Sequence, residues 1–593
     1  MAKNLNSVRN EKIAKEISKK ISTSSTWREP FKQKWDRYYK LYRTYLEKKN
    51  YPWQANIFVP YAFSTIETIV PRLVSSKPQI DVLPREKEDS LYAMLQAKII
   101  DFEWDTMEME QIMPDFIRQA LIYGTSIMKL SWEKKTRMIE KQVAVDEDFE
   151  EMGFKKVEAE EVVKDCPSAE LVDLYDFFWD PNGYDIDSCA WVAHRTYRSY
   201  DYLVDLQKQG IYKNVNLLKD FADKMYMGEN DKSERQSAVN SSDPKAYGSG
   251  GTNESNIELI EYWEDNRLVT LANRKFVIRE EKSNPNQHGK KPFIRLVDQS
   301  VPKEFLGIGE IEPIETLQYE LNDMRNQRMD NASMILNRMW IVENAANVDE
   351  DELVSDVGGV VHTDDINGVQ PILMPEVPNS SYREETLIKA DIQQTTGITD
   401  YTKGVASDAM ANETATGIAL MQEAGSSRLR LKMMNIEAAV RRMGELMSSL
   451  NKQFITEEKV IRIVGDTGIE WVNVKPQDLY DNFDIRVQSG STLEENDAIK
   501  RKQAMEMYQL FAGDPDVNQI ELKKRVFESR NEKNVDKLLN LTDETATAPQ
   551  RGNQTPISDV PGGAAALSGV SDRNSQGVMQ EGIELNRGVK DTA

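Results

Sequence analysis

The sequence predicts an α+β fold with a projecting stalk, and three stretches carry that prediction. Residues 307–397 run as a helix, a few short strands and a second helix. Between residues 257 and 280 three β-rich runs, IELIEYWED, RLVTLAN and RKFVIRE, follow one another with no helix between them. That is the pattern of a small antiparallel sheet, not of βαβ units. Residues 413–455 read as one long helix with heptad spacing.

The stalk opens with GIGEIEPIETLQYELNDMRNQRMDNASMILNRMW. Pro313 suits a first helical turn, where its missing N–H costs nothing. Ile314, Leu317, Leu321, Met324, Ala332, Ile335 and Met339 then recur at helical steps, with Arg328 as the polar interruption. A helix over 313–340 would be about 40 Å long. Its other face carries Glu315, Asn322, Asp323, Arg325, Asn326 and Asp330. Residues 341–379 are short strands and turns punctuated by Gly and Pro, and SYREETLIKADIQQTT returns as a helix that stops at Gly397.

Composition sets limits on the rest. The 593 residues can bury a large core. The chain has 75 Lys and Arg against 98 Asp and Glu, a net charge of −23. Such a chain gains little from counterion release, so tight sequence-neutral binding of DNA is not expected. Cys166 and Cys189 make no disulfide framework, and His194, His288 and His362 are scattered without HxxxH or CxxC spacing, so no metal or cofactor is expected. No apolar run approaches the ~18 residues of a membrane span, and the N-terminus lacks a hydrophobic signal core. The expected compartment is the cytoplasm, or the inside of an assembly built there.

In chain order, residues 1–26 suggest an extended arm or loose helix with a weak stripe at Ile13, Ile17 and Ile21. Trp27, Phe31, Trp35, Tyr38, Tyr42 and Tyr45 then step as a helix packing aromatics into a core. NIFVPYAFSTIETIVPRLVSSKPQIDVLP reads as a broken helix followed by a strand, 90–123 as mostly helical up to Gly124, SIMKLSWE as a strand, and 134–165 as a solvated hairpin or loop. Asp180, Asn182, Asp185 and Asp187 fit a calcium loop poorly, because the glycine falls early and no glutamate closes the loop. Residues 228–256 read as a mobile surface loop. In the long helix, Leu429, Met433, Ile436, Val440, Met443, Met447, Leu450 and Phe454 form the stripe, expected to pack inside the body rather than as a free coiled coil. Arg428, Arg430, Lys432, Arg441 and Arg442 lie off it and are expected to meet solvent or other subunits. Strands follow at VIRIVG, IEWVNV and FDIRVQSG, then helices over 492–541, then an aromatic-free, disordered tail over 542–593.

The run from Phe305 to Arg328, FLGIGEIEPIETLQYELNDMRNQR, resembles the entry into the first stem helix of the portal (head-to-tail connector) proteins of tailed bacteriophages. ALIYGTSIMKLSW from Ala120, and DLYDFFWDP from Asp173 with a Trp-bearing strand after it, resemble that family's wing, in the same order. The resemblance spreads over about 27–490. It implies an N-terminal arm (1–26), a helix-rich wing with small antiparallel sheets (27–305), a first stem helix (306–340) and a small α/β clip (341–379). A second stem helix (380–397), a tunnel loop (398–412), the long helix and wing return (413–490), a helical crown (491–541) and the tail (542–593) would follow.

The resemblance further implies a ring, commonly of about twelve subunits, at one capsid vertex, through which double-stranded DNA passes in packaging and ejection. Terminase, the major capsid protein and a scaffold, and a head-completion or tail adaptor would be partners. Stem residues Ile314, Leu317, Leu321, Met324, Arg325 and Arg328 would make the subunit contacts. Clip residues Asp349, Glu350, Asp351 and Glu352 would dock motor and tail, and Tyr401, Thr402, Lys403 and Gly404 would face the DNA. No GxxxxGK[ST] or GxSxG motif is present, so neither a P-loop motor nor a serine hydrolase is expected. An acidic structural adaptor or internal head protein without a channel, and a metal-dependent nucleic-acid-processing enzyme such as a carboxylate nuclease, remain the rival readings.

Overall fold

The computed structural model describes residues 2–47, 49–74, 77–86, 89–145, 153–219, 256–353, 360–375, 380–399, 415–456, 459–465, 468–474, 476–479, 483–487, 497–514 and 517–530. The surface loop expected at 228–256, nearly all of 398–412 and the tail at 542–593 therefore lie outside the described residues.

The chain starts with one long helix, α1 (Ala2–Tyr42), and the boundary expected after residue 26 is absent. The four-residue spacing of Ile13, Ile17 and Ile21 places all three on one side, where they are buried among Phe178, Trp191, Ile260, Tyr262, Val269 and Leu271 of a sheet. The helix is pinned again where the arm was expected to end. Ser24 donates to the Trp179 carbonyl at 2.8 Å, and the buried Arg28 guanidinium donates to the carbonyls of Leu174, at 2.8 Å, and Phe177. Beyond that point Trp35, Tyr38 and Leu41 enter the main core. A short apolar stripe cannot announce the distant sheet that it covers, which is why the segment looked like a loose arm.

Helix α2 (Tyr61–Leu73) and strand β1 (Ile80–Pro84) follow. The helical stretch before Gly124 is two helices, α3 (Ser90–Thr106) and α4 (Met109–Tyr123), because Glu108 sits in the left-handed region at φ 56°. Strands β2 (Thr125–Val145) and β3 (Gly153–Val172) form a long antiparallel ribbon, so 134–165 is the outer part of a hairpin. After β4 (Phe177–Trp179), β5 (Trp191–Ser199) and α5 (Tyr200–Lys208) come β6 (Asn256–Glu264), β7 (Arg267–Ala272) and β8 (Phe276–Glu281). They build a five-stranded antiparallel sheet in the order β4-β5-β6-β7-β8. Strand β9 (Phe293–Val297) leaves that region and pairs with the inner end of β2, Thr125 opposite Val297.

Three further helices follow β9. They are α6 (Glu315–Leu336) and α7 (Ser380–Thr396), with short strands β10 (Trp340–Val342) and β11 (Val369–Pro371) between them, and the long α8 (Ala415–Phe454). The heptad stripe of α8 from Leu429 to Leu450 is buried in the main core, and Phe454 stacks on Trp132 with ring centroids 5.2 Å apart. After the hairpin β12 (Lys459–Gly465) and β13 (Gly468–Val474), strand β14 (Phe483–Val487) pairs with β1, 400 residues earlier in the chain, Val82 opposite Ile485. Helices α9 (Asp497–Phe511) and α10 (Gln519–Glu528) end the described chain. Among the described residues no helix is long and apolar enough to cross a membrane.

The stalk leaves the body through a glycine junction. Gly124 caps α4 at φ 84°, its N–H on the Ala120 carbonyl, while Gly307 and Gly309 lie directly against the same turn. The Glu310 N–H donates to the Leu121 carbonyl at 2.8 Å, and the Gly307 N–H to Thr125 Oγ1 at 2.9 Å. A Cβ on Gly309 would stand 2.6 Å from the Leu121 oxygen and 2.8 Å from the Gly124 nitrogen, both backbone atoms. Gly309→Ala is therefore expected to cost on the order of 3 kcal/mol, the upper range for forced overpacking. The unfolding midpoint in urea should drop clearly; an unchanged midpoint would show that the junction is not tight.

Candidate functional site

The stalk is a helical hairpin whose outgoing helix is buried on two opposite sides. One side meets the returning helix. Ile314 and Leu321 share a core cluster with Ile388 and Ile392 of α7. Arg328, also buried, pairs with Glu385 of α7 and lies over the Tyr382 ring at 4.7 Å, while Lys389 holds the same carboxylate at 2.6 Å. The stripe expected to meet another subunit is thus largely occupied within the chain. Ile314, Leu321 and Arg328 are buried, Leu317 and Met324 half-buried against the core, and Arg325 exposed. An antiparallel pair of helices closes on the apolar stripe of each member before any neighbour can.

The opposite side is polar, yet it is not left to water. Residues 55–60 run along it as a strap that leads into α2. N–H groups of the strap and of the first turn of α2 donate in turn to the outgoing helix: Ala55 to Asp330 Oδ1, Ile57 to Asn326 Oδ1 at 2.7 Å and Val59 to Asn322 Oδ1 at 2.9 Å from the strap, and Ala62 of α2 to Gln318 Oε1 at 3.0 Å. Gln318 Nε2 returns a bond to the Val59 carbonyl at 2.7 Å, and Asn326 Nδ2 one to the Ile57 carbonyl at 3.1 Å. Geometry makes the match. Two extended residues advance about 6.6 Å and four helical residues about 6 Å, so alternate strap amides meet side chains one turn apart. The amides of Asn and Gln carry an acceptor and a donor side by side, as a passing backbone does. Four amide or carboxyl side chains at i+4 steps were the available signal for this contact; what they would hold was not visible.

The tip is small. Strands β10 and β11 pair antiparallel, Ile341 opposite Gln370. Asp349 Oδ1 accepts the Asp351 N–H at 3.1 Å at the start of a 3₁₀ turn, Glu350–Leu353. Glu352 is already engaged. It accepts the His362 N–H at 2.7 Å and faces the His362 ring at 3.0 Å, which together hold its carboxyl below its ordinary range. Tyr401, Thr402, Lys403 and Gly404 lie outside the described residues.

Both ends of the stalk are gripped by one face of α8. Arg428 donates to the carbonyls of Gln394, at 2.9 Å, and Thr395, at 3.2 Å, capping the returning helix beside Gly397 at φ 72°. One turn on, buried Lys432 reaches Asp298 and, at 2.6 Å, Glu310 at the outgoing root. Asn435 donates to the carbonyls of Val297, at 3.1 Å, and Asp298, at 3.0 Å. Lys432 is therefore not outward-facing, Arg428 caps the returning helix while staying exposed, and Arg442 is bound by Asp187 at 2.8 Å.

The charges at this root are unequal, one ammonium between two carboxylates. Burial pushes the Asp298 carboxyl up, Lys432 pulls it down and Glu310 pushes it up again, and the net is a rise. Burial alone would lower Lys432, but the two carboxylates more than reverse it, so it stays charged. The side chains of this site bind and orient backbone carbonyls. Among the described residues no group of His, Cys, Asp and Glu is placed to hold a metal ion.

A raised carboxyl pKa means that the folded state holds more proton than the unfolded one, so this group's contribution falls as pH rises above the ordinary carboxylate range. Lys432→Met leaves Asp298 and Glu310 facing each other without a cation, a loss of about 3–5 kcal/mol. The loss is expected to be larger at pH 8 than at pH 5.5, where protons can replace the ammonium. Melting of both proteins at the two pH values checks this; an equal difference at both would contradict it. In comparison with known families, the model described as Phage SU10 portal protein matches residues 141–557 of the chain.

Proposed function

The chain belongs to the phage SU10 portal protein family, and on that premise we propose that it forms a ring at one capsid vertex that serves as the channel for double-stranded DNA. The observation that carries this reading is the extent of the match. It runs from the β2–β3 ribbon through the sheet, the stalk and the long helix into the C-terminal helices, so it covers an architecture and not a motif. The protein is a structural part of the virion.

In this reading about twelve copies surround the axis. The tip at 341–379 docks terminase during packaging and a head-completion or tail adaptor afterwards. Asp349 and Asp351 offer exposed carboxylates there, whereas Glu352 serves the tip's own turn. The body at 27–305 meets the major capsid protein and scaffold. The segment 398–412 projects into the channel with Tyr401, Thr402, Lys403 and Gly404 towards the DNA. Before it, Arg428 caps the returning helix, and after it α8 begins at Ala415. A net charge of −23 per copy suits a channel through which DNA slides and to which it does not stick.

Negative-stain images of the purified chain are expected to show rings with a central hole. Monomers or filaments would remove the channel and favour an adaptor. Replacing 401–406 with a Gly/Ser linker is expected to leave the rings intact and to impair DNA packaging or retention. Normally filled particles carrying that replacement would sink the assignment of this segment.

A further inference from the structure

We propose that the root of the stalk is a proton-operated latch: Asp298 holds a proton while the stalk is seated against α8 and gives it up to water when the stalk loosens. This inference goes beyond the ring reading and stands without it.

The count of buried charges carries the proposal. The side chains of Asp298, Glu310 and Lys432 are 2%, 4% and 10% exposed. With all three ionised, the root would hold one net negative charge away from water, which is strongly disfavoured. One proton restores neutrality. The hydrogen bonds point to the carboxylate that takes it. Glu310 Oε1 accepts from Lys432 at 2.6 Å and from Gln299 Nε2 at 3.1 Å, so Glu310 is well held as an anion. Asp298 Oδ1 meets Lys432, but its Oδ2 is buried and reached by no hydrogen-bond donor among the described residues. Asp298 and Lys432 also border a cavity of about 10 Å³, about the least that holds one water. Lys432 of α8 and Glu310 of the root are the charged groups that face Asp298. The cavity lining from α2, α4 and β9 is otherwise aliphatic, Leu73, Ile117, Leu121 and Leu296 among it. Burial raises the Asp298 carboxyl, Lys432 pulls it back and Glu310 raises it again, to about 7.

The position of this carboxyl makes it a latch. Its own N–H donates to the Gly124 carbonyl at 3.1 Å, and its own carbonyl accepts from Asn435 of α8 at 3.0 Å. The next charged group, Glu310, is tied to Leu121 through its N–H. The turn after α4, the end of β9, the outgoing root and α8 thus converge on one acid. Loss of its proton leaves a buried negative charge that only water can relieve. Water enters when α8 and the root part. The sign is fixed: the folded state holds the extra proton, so seating weakens as pH rises from the ordinary carboxylate range to about 7 and then levels off.

The test uses full-length chains with nitroxides at Leu387→Cys on α7 and Met434→Cys on α8, both exposed positions. Native Cys166 and Cys189 are buried. Labelled chains are diluted into unlabelled ones, and the distance between the labels is measured by double electron–electron resonance at pH 5.5 and 8.5. A longer or broader population is expected, at least threefold more abundant at pH 8.5. Asp298→Asn, which keeps the shape and cannot ionise, is expected to give the pH 5.5 distribution at both pH values. Glu310→Gln removes the second carboxylate and is expected to move the transition down by at least one pH unit, which provides a second variant if Asp298→Asn does not fold. A wild-type distribution that does not change with pH overturns the latch. So does a change that persists in Asp298→Asn, or one that Glu310→Gln leaves at the same pH.

Discussion

One ammonium group holds the stalk to the body. Lys432 sits where β9 ends, where the stalk leaves and where α8 passes, and it pairs with carboxylates from two of those segments. Neither Asp298 nor Glu310 could be buried as an ion without it, since an unpaired buried charge costs several kcal/mol. Asn435 and Arg428 extend the same face, Asn435 on the carbonyls of buried Val297 and Asp298 and Arg428 on those that end the returning helix. The glycines at 124, 307 and 309 then become necessary, because only backbone without Cβ can approach closely enough to bring these groups together.

A second constraint shapes the stalk. The outgoing helix is apolar on one side and amide-lined on the other, and each side has its own occupant within the chain. Each strap N–H must find an acceptor once covered, at a cost of about 1–3 kcal/mol if it fails. The i+4 row of Gln318, Asn322, Asn326 and Asp330 supplies the acceptors.

The acidic balance of the chain hides an uneven arrangement. Helix α1 carries eleven Lys and Arg against four Asp and Glu, and it spends several of them on acidic groups from far along the sequence. Arg9 meets Glu280, Lys20 meets Glu264, Lys34 meets Glu312 and Arg37 meets Glu315. Exposed pairs of this kind are worth little singly. Together they set the line along which α1 lies, from the five-stranded sheet to the root of the stalk, and Ile13, Ile17, Ile21 and Trp35 supply the burial.

What the sequence by itself determined is periodicity. The steps of three and four in 314–339 and 429–454, the successive β-rich runs at 257–280 and the breaks at Gly124 and Gly397 are local properties, and the elements they imply are present. The resemblance to portal proteins was legible for the same reason, because it lies in the order of such elements. Only the tertiary structure decided which face meets what. Arg328 looked available to a neighbour until Glu385, 57 residues later, was seen to take it. Lys432 looked solvated until Asp298 and Glu310 closed over it. The polar face at 318–330 named no occupant in the sequence; the strap that covers it lies 263 residues earlier at Val59 and 269 at Ile57. Periodicity records how a residue faces its own helix; its partner depends on long-range docking, and no local pattern encodes that.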